Sequence, residues 1–148
     1  LRRFDPARPV IVESESKKLG QRWLPEALIT TLRERGRCVR IEMPDAARLE
    51  LLLQDYAHLR EDVEHFCGLL VALTELRGKA QVAQWQAQAR AGEVAGVFAE
   101  LMHKHYDPGY LQSLGQHFRG LATAQVLELA DGGEASLDAA AQALIRQG

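Results

Sequence analysis

The chain has 148 residues, 47% apolar and 26% charged, with a formal net charge of −2. That is enough for one ordinary globular domain with a real core. No apolar run is long enough to span a bilayer and no signal-peptide pattern is present, so a cytoplasmic protein without a membrane partner is expected. The charge is uneven. Residues 1–40 carry ten Lys/Arg and five Asp/Glu, while residues 41–148 carry eight and fifteen. A basic N-terminal quarter suits phosphate or nucleic acid, and a solvated surface is the plainer alternative. The two cysteines, Cys38 and Cys67, have neither C-x-x-C nor metal-ligand spacing and read as reduced core thiols.

The chain opens on Leu1, and Leu1-Arg2-Arg3-Phe4 does not look like a natural start. Asp5-Pro6-Ala7-Arg8-Pro9 is an extended entry, because each proline disfavours helix in the residue before it. Val10–Val12 reads as a buried strand. Pro25 to Arg35 reads as a helix with Leu24, Ala27, Leu28, Thr31 and Leu32 along one side, stopped at Gly36. A second strand covers Cys38–Met43 and ends at Pro44. Short connections in this strand–helix–strand unit favour parallel pairing. Asp45 is placed to cap the next helix, whose buried side is Leu49, Leu52, Leu53 and Tyr56.

Three apolar stripes follow. They are Val63, Phe66, Leu70 and Leu73; Val82, Trp85 and Ala89; and Val94, Val97, Phe98, Leu101 and Met102. Gly78 and Gly92 separate them, which predicts a small helical layer. His105-Tyr106-Asp107-Pro108-Gly109-Tyr110 breaks the helical pattern, with Tyr106 and Tyr110 packing a turn around Pro108. Ala124–Ala130 reads as another strand, and Ser136 as the cap of a last helix with stripe Leu137, Ala140, Ala141, Leu144 and Ile145. The order is α/β with a helical insertion or subdomain. Residues 1–58 form the strand–helix–strand–helix part, 59–118 the helical region, and 119–148 a final strand and helix returning to the α/β domain. Three strands make a thin parallel sheet, so further strands are expected from upstream sequence.

The chemistry concentrates in Glu13-Ser14-Glu15-Ser16-Lys17-Lys18. An acid at the end of a buried strand in a phosphate-handling α/β protein holds Mg²⁺, opposite a G-x-x-x-x-G-K-[ST] loop. Alternation points Glu13 and Glu15 one way and Ser14 and Ser16 the other. The loop is missing; Gly78-Lys79-Ala80 has the wrong residue after the lysine. Lys17, Lys18 and Arg22 follow the acids and suit a phosphate or an RNA backbone. Arg48, in the first turn of the helix after the second strand, is placed to reach the same sheet edge. Set against these, acids solvating a strand end and exposed surface cations are the ordinary alternatives. The histidines carry no metal set, since His103 and His105 lie on different helix faces.

Asp5-Pro6-Ala7-Arg8-Pro9-Val10 leading into Glu13-Ser14-Glu15-Ser16-Lys17-Lys18-Leu19-Gly20 resembles the tRNA 2-selenouridine synthases. So do Leu24-Pro25, Asp55-Tyr56 and His105-Tyr106-Asp107-Pro108-x-Tyr110, in matching order along essentially the whole chain. The Glu-Ser-Glu-Ser segment is the most specific piece. The resemblance implies a bacterial protein with an N-terminal rhodanese-like domain and a following P-loop domain. It implies replacement of sulfur by selenium in wobble 2-thiouridine of tRNA, through an S-geranylated intermediate. Selenophosphate and geranyl diphosphate are the implied co-substrates, with Mg²⁺ at the acids. On this resemblance the chain is a C-terminal fragment of such a protein, starting inside the P-loop domain, with partial P-loop-type sheet. It lacks the rhodanese cysteine and the Walker A loop, so the fragment alone is expected to be inactive and no catalytic residue carries over. Glu13, Ser14, Glu15 and Ser16 carry over as the acidic strand end. Lys17, Lys18 and Arg22, with Arg48, are contacts to tRNA or diphosphate. The rivals are part of a P-loop small-molecule kinase, and a non-catalytic RNA- or protein-binding α/β module.

Overall fold

A computed structural model of the chain describes Asp5, residues 7–13 and residues 17–147. The protein is mixed α/β and mostly helical. A short hairpin comes first, β1 (Lys18–Leu19) and β2 (Arg22–Trp23), then helix α1 (Glu26–Arg35) and strand β3 (Val39–Glu42). Helices α2 (Asp45–Asp55), α3 (Ala57–Glu61), α4 (Val63–Leu70), α5 (Thr74–Arg77), α6 (Lys79–Arg90) and α7 (Val94–Leu101) follow. A π turn over Met102–Tyr106 leads into α8 (Asp107–His117), and a 3-10 stretch over Arg119–Thr123 into strand β4 (Gln125–Glu128). Helix α9 (Glu134–Gln147) ends the chain's regular structure. There are two compact units. One comprises Leu1–Glu42, Ser113–Leu129 and Gly133–Gly148, the other Met43–Gln112 and Ala130–Gly132.

In the first unit β3 and β4 pair in parallel, with Val39 opposite Gln125 and Glu42 opposite Glu128. Hydrogen bonds from Gln125 N to the Cys38 carbonyl, 3.2 Å, and from Leu129 N to the Glu42 carbonyl, 2.7 Å, extend the ladder. Both strands therefore stand where the β-branched runs predict them. Helix α1 starts after Pro25, whose carbonyl accepts from Leu28 and Ile29. At its end a Cβ on Gly36 would strike the Leu32 carbonyl oxygen that accepts the Gly36 N–H, so only glycine closes the helix this way. The buried residue of α1 is Ile29, flanked by half-buried Leu28 and Leu32, while Ala27 and Thr31 are exposed. The face is thus rotated from the expected one, and the Thr31 hydroxyl is occupied with the Ala27 carbonyl at 2.8 Å.

Other expectations for this unit need correcting. Val10–Val12 is not a strand, and its side chains are exposed. A β-branched run becomes a buried strand only when a ladder and a covering layer accept it, and no described segment pairs with it. Among the described residues the parallel sheet is two-stranded, β3 with β4, and not three-stranded. Helix α9 begins at Glu134, so Ser136 lies inside it and not at its cap. Its buried position is Ala140; Leu137 and Ile145 are exposed.

The second unit holds the larger core. Leu59, Phe66, Cys67, Leu70, Val82, Trp85, Ala89, Val94, Val97 and Phe98 are buried together, with Leu49, Leu52 and Leu53 of α2 packed against them. The three apolar stripes supply all the buried residues of this cluster but Leu59 and Cys67, in the expected spacing. Trp85 is fully buried, and its indole N–H donates to a Glu100 carboxylate oxygen at 3.0 Å, the partner a buried indole needs. Phe66 and Phe98 stack with centroids 5.2 Å apart, and Tyr56 stacks on Phe98 at 6.0 Å. Gly78 and Gly92 separate the helices at φ +81° and +88°. Helix α2 starts after Pro44, with Asp45 as its first residue and no side-chain cap. Asp45 therefore is not a cap; its carboxylate faces Arg48 and His103 instead.

The expected break at 105–110 does not occur. The chain stays helical from α7 through the π turn into α8. Pro108 has no N–H to donate to the preceding turn, and the ladder widens directly before it, a common way for a helix to absorb such a residue. Tyr106 and Tyr110 stack on each other across one helical turn, centroids 5.4 Å apart.

Candidate nucleic-acid interface

The basic segment folds as the β1–β2 hairpin. Lys18 sits opposite Trp23 and Leu19 opposite Arg22, leaving Gly20-Gln21 as the turn. Two-residue hairpin turns need positive φ at their first position, which glycine adopts without strain, and Gly20 has φ +58°. The Leu24 N–H donates to the Lys17 carbonyl at 2.8 Å and adds one more rung. The strands are two residues each because Pro25, lacking an N–H and with fixed φ, turns the chain into α1.

This geometry brings Lys17, Lys18 and Arg22 together on one small ribbon. All three are exposed. Lys17 and Arg22 form no ion pair with any described residue. The Lys18 ammonium lies 5.8 Å from the centroid of the Trp23 ring, within cation–π range. No Asp or Glu occurs in sequence between Lys17 and Pro25. Glu13 is exposed and follows an extended segment, not a strand, so the strand-end geometry expected of it is absent. Ser14, Glu15 and Ser16 lie outside the described residues.

Arg48 belongs to the second unit and is engaged by carboxylates. Its Nη2 and Nη1 donate to the two oxygens of Asp107 at 2.5 and 3.0 Å, and Nη1 also reaches Asp45 Oδ1 at 3.3 Å. The hydrogen bonds it donates to Asp107 hold the guanidinium's pKa above its ordinary value, against a smaller opposing effect of burial. His103 Nε2 lies 3.7 Å from Asp45 Oδ2, while His105 Nδ1 faces Arg77 Nε at 3.3 Å. The two histidines of the π turn thus face different partners. Among the described residues no three His, Cys, Asp or Glu side chains converge on a point where a metal ion would fit.

Asp107 was not legible as the partner of Arg48, because nothing local in sequence links α2 to the start of α8. Trp23 was also missed; an indole beside three cations at hairpin spacing was the available signal. No described helix is long and apolar enough to cross a membrane.

No curated protein and no solved structure matches the chain. One family model does: residues 2–68 match the tRNA 2-selenouridine synthase AAA domain. That stretch contains the Glu-Ser-Glu-Ser segment, the cationic hairpin, Leu24-Pro25 and Asp55-Tyr56. The motifs within that stretch agree with the match, while His105–Tyr110 lies beyond it; over residues 2–68 the chain is similar to the AAA domain of the tRNA 2-selenouridine synthases.

Proposed function

We propose that this chain is part of a tRNA-modifying transferase that replaces sulfur by selenium in wobble 2-thiouridine through an S-geranylated intermediate. Selenophosphate and geranyl diphosphate are the co-substrates on this reading, and rhodanese-like and Walker A portions complete the enzyme. The family match over residues 2–68 is the observation that carries it. The role of this stretch is to bind phosphate. Alkylation by a prenyl diphosphate releases a polyanion, and tRNA is itself one; both need fixed positive charge. Lys17, Lys18 and Arg22 supply that charge on a hairpin without acids. Arg48 is not needed for this, since both its Nη atoms are already engaged by Asp107.

The test is tRNA binding by the protein and by its Lys17→Ala/Arg22→Ala variant over a range of salt concentrations. Each lost phosphate contact should flatten the log–log salt dependence by about 1. An unchanged slope and affinity would remove the hairpin from the interface.

A further inference from the structure

Trp23 is the most exposed large apolar side chain among the described residues, at 71%, whereas the other tryptophan, Trp85, is fully buried. A solvated indole forgoes the largest burial gain any side chain offers. Lys18 occupies the paired position across the ladder, with its ammonium 5.8 Å from the ring centroid. Alternation puts Lys17 and Arg22 on the reverse face of this two-stranded ribbon, which has an edge beside every residue that a long, flexible side chain can pass.

An exposed aromatic ring amid cations is how proteins hold single-stranded nucleic acid: the ring takes a base and the cations take the adjoining phosphates. We propose that Trp23 is a stacking platform for an unpaired base of RNA, with Lys17, Lys18 and Arg22 on the flanking phosphates. The inference rests on the tRNA reading above and specifies which chemical feature of the RNA this site takes. A fully paired duplex hides its base faces, and an acidic polypeptide has charge but no nucleobase to stack. Neither satisfies both the ring and the cations.

The two tryptophans make the test direct. Trp23 contributes solvent-exposed, red-shifted emission and Trp85 buried, blue-shifted emission. The protein is titrated with an RNA hairpin carrying an open loop, with a fully paired RNA duplex, and with polyglutamate. Stacking predicts quenching of the red-shifted component by the open-loop RNA alone. Trp23→Ala should weaken open-loop binding about 5- to 150-fold while leaving duplex binding unchanged, and Trp23→Phe should retain most of the affinity. Because the side chain is exposed, the melting temperature of both variants should match the parent protein. Equal quenching by polyglutamate, or an unchanged open-loop affinity in Trp23→Ala, would overturn the stacking role. If open-loop RNA still binds with a salt dependence that Lys17→Ala/Arg22→Ala flattens, the tRNA reading survives that failure. If no RNA binds at all, both fall together.

Discussion

Arg48 and Asp107, 59 residues apart in sequence, meet end-on, through both Nη atoms, in a two-point ion pair inside the helical unit. Their side chains are 30% and 24% exposed, so the pair is partly shielded from water. Asp107 belongs to the His-Tyr-Asp-Pro-x-Tyr sequence and opens α8; Arg48 projects from the first turn of α2. The pair thus fixes one helix start against another.

Removing either partner should cost about 1–2 kcal/mol, more than a surface pair and less than a fully buried one. Arg48→Lys should recover little, because an ammonium cannot reproduce the planar fork. A double-mutant cycle of Arg48→Ala and Asp107→Ala, read by urea denaturation, should give a coupling energy of about 1 kcal/mol. Strict additivity would make the pair incidental. Arg48→Ala should also leave the salt dependence of tRNA binding as it is, since the guanidinium is already engaged; a flattened slope would restore it to the interface.

Glu100 links stability to pH. One of its carboxylate oxygens accepts from both Lys104 Nζ at 2.7 Å and the Trp85 indole at 3.0 Å. The Lys104 hydrogen bond, then that of Trp85, lowers its affinity for a proton below the ordinary value of 4.5. A group with a depressed folded value binds fewer protons native than unfolded, so its contribution is complete above 4.5 and disappears as pH falls through the folded value. Glu100→Gln should remove that acid-side component. Comparing urea midpoints near neutrality and below the ordinary carboxylate range checks it. The parent should lose more of its midpoint on acidification than the variant, and parallel losses would dismiss the linkage.

The helical core was the legible part of this sequence. Val82, Trp85 and Ala89 recur at helical spacing, and Trp85 and Ala89 are fully buried; a local period reports a buried face without knowledge of the partner. Strands β3 and β4 were legible as short apolar-containing runs between turn residues, Gly36 and Pro44 around the first and Asp131-Gly132-Gly133 after the second. Val10–Val12 shows the limit of that signal. It has the same composition and stays exposed, because strand formation depends on a partner that composition does not encode. The Arg48–Asp107 pair was illegible because charge partners far apart in sequence leave no periodic trace. The hairpin was overlooked because two-residue strands are shorter than any alternating pattern, although Leu19-Gly20-Gln21 carried its turn glycine.

Gly78 and Gly96 separate backbone strain from crowding. A Cβ at either would meet nothing within 4 Å. Gly78 joins α5 to α6 at φ +81°, ψ 155°, a region essentially closed to residues with a side chain. Gly96 lies exposed within α7, in ordinary helical conformation. Gly78→Ala should therefore destabilise by about 1–3 kcal/mol from strain alone, and Gly78→Asn should not rescue it, because asparagine tolerates the left-handed helical region and not this one. Gly96→Ala should stabilise by about 0.5–1 kcal/mol through reduced entropy of the unfolded chain. Thermal denaturation of the three variants gives the comparison. Opposite signs for the two alanine substitutions would tie the α5–α6 corner to the glycine backbone; a neutral Gly78→Ala would mean that the corner relaxes to another conformation, and the packing of Val82 and Trp85 below it would then have to tolerate a moved helix start.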